Sequence, residues 1–73
     1  MKAFYDSNTG LTEIARVSTF GASNRRDIIR RVMNSGAFGA VSFAQAVEAF
    51  RSYERAGLVA SGEGYVVIYH DAA

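Results

Sequence analysis

Two stretches of the chain carry apolar residues at helical spacing. In residues 24–35, Ile28, Ile29, Val32 and Met33 fall along one face at 100° per residue. Ser23 stands before them as a natural N-cap and Gly36 after them as a stop, so the pattern predicts a helix over 24–35. A short, flexible connection follows, Gly36-Ala37-Phe38-Gly39-Ala40-Val41. Ser42 then caps a second predicted helix, whose apolar side collects Phe43, Ala46, Val47, Phe50 and Tyr53 and which Gly57 ends.

The flanking segments read as strands. Tyr5-Asp6-Ser7-Asn8-Thr9-Gly10-Leu11 is a reverse-turn sequence: Asp and Asn bond their own backbone, and Gly10 supplies the positive φ that closes a bulged hairpin. Strands are expected at about 2–6 and 11–19. The spacing of Ile14, Val17 and Phe20 also fits a short helix from Leu11 to Ser18 with Gly21 as its C-cap. The turn chemistry before it and the β-branched Thr12, Ile14, Val17 and Thr19 favour strand. Leu58-Val59-Ala60 and Tyr65-Val66-Val67-Ile68-Tyr69, around Ser61-Gly62-Glu63-Gly64, read as one strand or a tight hairpin. The order is ββαα followed by one or two strands. Two helices packed on one face of a small, mainly antiparallel sheet bury all these apolar faces together, a two-layer α+β domain. Residues 1–73 show no repeat, low-complexity tract or linker, so one domain is expected.

A chain of 73 residues buries only about 60% of the surface it exposes when unfolded, which leaves little stability in reserve. Its 49% apolar and 21% charged residues are those of a folded globule. With no cysteine and one histidine, disulfide and metal cross-links are not expected, and self-association as a homodimer is the remaining aid. The N-terminal residues turn polar too soon for a signal peptide and no apolar run approaches a membrane span, so a cytoplasmic location without membrane contact is expected.

Catalytic chemistry finds little support. A Ser or Thr nucleophile needs a base that only His70 supplies, and His70 reads as a partly exposed strand-end residue. The seven acids, Asp6, Glu13, Asp27, Glu48, Glu54, Glu63 and Asp71, are scattered singly, against the clustered ligands a metal needs. Gly62-Glu63-Gly64 lacks the Lys-Ser/Thr ending of a phosphate loop and reads as a turn. No enzyme activity and no cofactor are expected.

The cations are more informative. Net charge is only +1, yet seven of the eight basic residues are arginine, and four of those lie in the first helix as Arg25, Arg26, Arg30 and Arg31. Arg26, Arg30 and Arg31 point away from its apolar side, whereas Arg25 lies nearest that side and is expected to be structural. Asp27 and Arg31 form a favourable i,i+4 pair; Arg26 and Arg30 repel at the same spacing by a few tenths of a kcal/mol. Arginine suits bidentate contact with phosphate or carboxylate, so this face fits a nucleic-acid backbone or an acidic protein surface; an ordinary solvated helix face is the plainer alternative. Glu54 projects near the apolar side of the second helix, where Arg25 or Arg30 could pair with it, or the last turn is simply exposed. The four tyrosines, Tyr5, Tyr53, Tyr65 and Tyr69, are expected in core packing with a wet hydroxyl, with stacking on bases or a protein interface as the alternative.

Ser42 to Ile68, a capped helix followed by Ala56-Gly57-Leu58-Val59, a Gly-containing turn and Tyr65-Val66-Val67-Ile68, resembles the recognition helix and wing of winged-helix DNA-binding domains. That resemblance implies a small transcriptional regulator. The whole layout, an N-terminal hairpin opening at Met1-Lys2-Ala3 and then the Arg-rich stretch Ser23-Asn24-Arg25-Arg26-Asp27-Ile28-Ile29-Arg30-Arg31 in a cysteine-free domain, is similar to small phage- or plasmid-encoded inhibitors of host machinery, anti-CRISPR proteins among them. It implies an inhibitor docking on a host protein or nucleoprotein complex through the basic helix or an open sheet edge. The inhibitor is the leading expectation, with Arg25, Arg26, Arg30 and Arg31 as the macromolecule-binding set.

Overall fold

In the computed structural model of the chain, which describes residues 4–6 and 10–71, the order is β1 (Phe4–Asp6), β2 (Leu11–Ser18), α1 (Arg25–Asn34), α2 (Phe43–Arg55), β3 (Val59–Gly62) and β4 (Tyr65–Asp71). The tail therefore forms two strands, and 11–18 is strand rather than helix. Residues 7–9 of the turn expected between the first two strands lie outside the described residues. All strand pairs are antiparallel and the sheet order is β1-β2-β4-β3. The fold is α+β, with both helices on one face of the sheet.

The helix starts follow from local hydrogen bonding. At α2, Ser42 Oγ accepts from the Gln45 amide at 3.2 Å while Gln45 Oε1 accepts from the Ser42 amide at 2.9 Å, a reciprocal capping box. At α1 the cap is Asn24, not the expected Ser23: Asn24 Oδ1 accepts from the Asp27 amide at 3.1 Å. Asp27 instead reaches back to Ser23, accepting from its amide at 2.9 Å. Asp27 decides between the two: its amide bonds the Asn24 side chain while its carboxylate accepts from the Ser23 amide, so the helix begins after Asn24.

The core is built where the two layers meet. Ala15 and Val17 from β2, Val66 and Ile68 from β4, Ile29 and Val32 from α1, and Ala46 and Phe50 from α2 are buried together. Ile28, Met33, Phe43, Val47 and Tyr53 pack half-buried at its margin. Ala46 is fully enclosed, and only a small side chain there lets α2 sit this close to its neighbours.

A β-bulge between Glu13 and Ala15 shapes the opposite sheet face. In a regular strand, residues three apart lie on opposite faces. The extra residue, Ile14, returns Glu13 and Arg16 to the same face, opposite Tyr69 and Val67 of β4. Arg16 Nη2 then meets Glu13 Oε1 at 2.7 Å, and the Arg16 guanidinium lies 5.0 Å from the centre of the Tyr65 ring. Val67 is 1% exposed on this face, although neither helix covers it. The Tyr65 ring lies against Gly62, where any Cβ would collide with it. The β3–β4 turn is Glu63-Gly64, and Gly64 adopts φ 81°, a region that suits glycine.

Candidate functional site

The four arginines of α1 divide into two pairs. Arg25 lies across the helix pair from Glu54 of α2, donating from Nη1 to Oε2 at 2.9 Å and from Nη2 to Oε1. Its guanidinium also sits 5.1 Å from the Phe50 ring centre. The hydrogen bond from Arg25 holds the Glu54 carboxyl below the usual glutamate range; desolvation opposes this, and the charges of Arg25 and Arg51 add to it. This bidentate pair fastens the start of α1 to the end of α2, the structural role expected of Arg25.

Arg31 departs from the exposed position expected of it. It is half-buried, and its Nη1 donates to the carbonyls of Ser18 at 2.8 Å and Phe20 at 2.7 Å. Those carbonyls belong to the end of β2 and the β2–α1 connection, where the chain leaves the sheet and the ladder no longer supplies donors. A cation on α1 does so instead. The expected Asp27–Arg31 pair is not formed as a direct bond. Asp27 is engaged with the Ser23 amide, which holds its carboxyl below the usual aspartate range, with the charges of Arg30 and Arg31 contributing at longer distance.

Arg26 and Arg30 are exposed, as Arg25 is, but are not tied to another part of the fold by an ion pair or a side-chain hydrogen bond among the described residues. Their guanidinium carbons lie 5.5 and 4.9 Å from the centre of one ring, Phe43, at the first position of α2. Neither forms an ion pair with a described residue, whereas Arg16, Arg25 and Arg51 each do. Phe43 was expected as core, but its place on the first turn carries it to the edge of the interhelix seam. There its face attracts both cations, each contact contributing about 0.5–1 kcal/mol at an exposed site. The ring thereby offsets the few tenths of a kcal/mol by which the i,i+4 arginines repel. Sequence spacing located the two cations; their common aromatic partner lies on another helix, which helical periodicity alone does not reveal.

His70 is exposed near the end of β4, with Nδ1 3.2 Å from the Tyr53 hydroxyl. Tyr53 also packs against Phe38, ring centres 5.6 Å apart. Among the described residues no three His, Cys, Asp or Glu side chains are grouped to hold a metal, and no helix is long and apolar enough to cross a membrane. No protein-family model matches the chain, and neither a curated protein nor a solved structure matches it.

Proposed function

We propose that this chain is a non-enzymatic binding protein that docks on a host protein or nucleoprotein complex through Arg26, Arg30 and Phe43, acting as an inhibitor of that complex. The carrying observation is the pair of guanidinium groups held over one exposed-edge aromatic ring without an ion-pair partner among the described residues. Arginine and aromatic residues dominate the energetics of protein interfaces, and a guanidinium already stacked on a ring loses less freedom when it meets a carboxylate. Arg25 and Arg31 stand outside this proposed contact because the fold uses their donors. The choice of a bacterial target rests on the resemblance in sequence layout to phage- and plasmid-encoded inhibitors, anti-CRISPR proteins among them.

Direct DNA binding is the second reading, favoured by the helix α2 running into the β3–β4 hairpin, the arrangement of a recognition helix and wing. Charge speaks against it. The hairpin turn presents Glu63 to solvent, and the outer side of α2 offers Ala44, Gln45 and Glu48 before its first cation, Arg51. Two arginines neutralise about two phosphates, against the 6–10 of a strong duplex binder.

The test is affinity capture from bacterial lysate with and without nuclease, using the wild-type chain and the Arg26→Ala, Arg30→Ala double variant. The proposal expects one defined complex of fixed stoichiometry that survives nuclease and is lost in the variant. Recovery of nuclease-sensitive DNA alone, or the same recovery by both proteins, would refute it.

A further inference from the structure

The sheet ends on one side at β3, and among the described residues no strand pairs with its outer edge. The ladder between β3 and β4 includes a bond from the Tyr69 amide to the Leu58 carbonyl at 2.8 Å. Antiparallel pairing alternates, so Ala60 and Gly62 also face β4, while the amides and carbonyls of Val59 and Ser61 face outward. Proteins guard such an edge with charge, proline, a bulge or a very short strand, and of these β3 has only its four-residue length. The four residues of β3, Val59-Ala60-Ser61-Gly62, carry no charge and no proline, and their register with β4 is unbroken.

Beside this edge lies a pocket of about 420 Å³, within the range of pockets that take a ligand or a partner's side chains. Ile28, Phe50, Val59 and Val66 give it apolar walls, and the Arg25–Glu54 pair stands at its rim. Phe20, 77% exposed, rests against Gly64 at the turn of the same hairpin and adds apolar surface nearby.

We infer that the β3 edge pairs with the β3 edge of a second copy about a two-fold axis, joining two four-stranded sheets and covering both pockets. Charge selects the occupant. An isologous interface sets the same patch against itself, so a patch of one sign repels its copy. The pocket rim carries one cation and one anion, Arg25 and Glu54, and the strand carries none. Arg25 and Glu54 neutralise each other, so this patch has no net charge to repel its copy, whereas the Arg26–Arg30 face does. The antiparallel register that sets Val59 of one copy opposite Ser61 of the other satisfies the outward amides and carbonyls of both. A 73-residue domain without disulfides also gains the most from burying such an edge. The inference is independent of the proposed docking through Arg26 and Arg30, which lies on a different surface.

The experiment is sedimentation equilibrium over a wide concentration series, with amide hydrogen exchange at low and high concentration, on the wild-type chain and on Ser61→Lys. The expected result is a monomer–dimer equilibrium in which exchange at Val59 and Ser61 slows as concentration rises. Ser61→Lys should weaken the dimer by roughly tenfold or more, as edge lysines do. Unchanged slow exchange in β4 of the variant would show that its fold is intact. The exchange comparison on wild-type protein stands even if the variant does not fold. A wild-type chain monomeric throughout, which would leave the edge to an extended segment of another protein, overturns the inference. So does a dimer that leaves exchange at Val59 and Ser61 unchanged, or one that persists undiminished in folded Ser61→Lys.

Discussion

Arg31 donates to the carbonyl of Phe20 at 2.7 Å, and through it α1 holds the segment by which the chain leaves the sheet. The residue just before it on the same helix, Arg30, makes no such bond and lies over Phe43. Two adjacent arginines of one basic stretch therefore serve different ends. Arg31→Ala removes two charge-assisted hydrogen bonds to backbone carbonyls, and with part of that site open to water the loss should be about 1–2 kcal/mol. Arg30→Ala should stay within about 0.5 kcal/mol of wild type. Urea unfolding of the two variants checks the contrast, and equal stabilities would contradict the assigned roles.

The pH dependence of stability should carry the mark of Glu54. Its carboxyl is held below the usual range in the folded chain, so the unfolded chain binds its proton first as pH falls. The stabilisation is present in full above the ordinary glutamate pKa of about 4.3 and declines as pH drops through the lowered folded value. Because the pair is accessible to water, with Arg25 52% and Glu54 35% exposed, its contribution at neutral pH is at most about 1 kcal/mol. In Glu54→Gln the loss of stability between pH 5 and acid conditions, roughly the range in which carboxylates titrate, should be smaller than in wild type. Chemical denaturation at a series of pH values measures it.

Val67 should behave as a core residue although it lies on the sheet face away from the helices. Arg16, Glu13, Tyr65 and Tyr69 share that face, and Val67 is left 1% exposed. Val67→Ala removes two methyl groups' worth of burial and leaves a cavity, at a cost of about 2 kcal/mol. A change under about 0.5 kcal/mol, the value for a surface site, would show that the long side chains do not shelter it.

Ala46 should reject a larger side chain. It is enclosed between the layers, and Ala46→Leu forces apart packed neighbours at a cost of about 1–3 kcal/mol. Ala44→Leu, on the exposed side of the same helix, provides the control and should leave the unfolding midpoint nearly unchanged.

Periodicity made the helices legible: Ile29 and Val32, Ala46 and Phe50 are the buried residues of the faces it marked. Turn residues and β-branching placed β2 in the same way, but left 58–69 open between one strand and a tight hairpin, which the pairing of β3 with β4 decides. What depends on contacts distant in sequence was harder to read. The division of labour among Arg25, Arg26, Arg30 and Arg31 is set by Glu54, by Phe43 and by the carbonyls of Ser18 and Phe20, none of them helical neighbours on α1. The bulge that puts Glu13 and Arg16 on one face adds a residue out of register; its only trace in the sequence is the spacing of three between Ile14 and Val17, which fits a short helix equally well. The Asn24 cap was missed because Ser23 and Asn24 are both good caps, and the choice between them lies with Asp27.

The most direct test of the proposed docking face is the affinity of a captured partner for three proteins: wild type, Arg26→Ala with Arg30→Ala, and Arg31→Lys as a folded control that retains Arg26 and Arg30. Loss of two stacked guanidinium groups from a proposed interface centre should weaken binding by about a hundredfold, roughly 1.4 kcal/mol for each arginine. The control should bind as wild type does. Equal affinity for wild type and the double variant, with both shown to be folded, would contradict the account and leave Arg26 and Arg30 as ordinary surface.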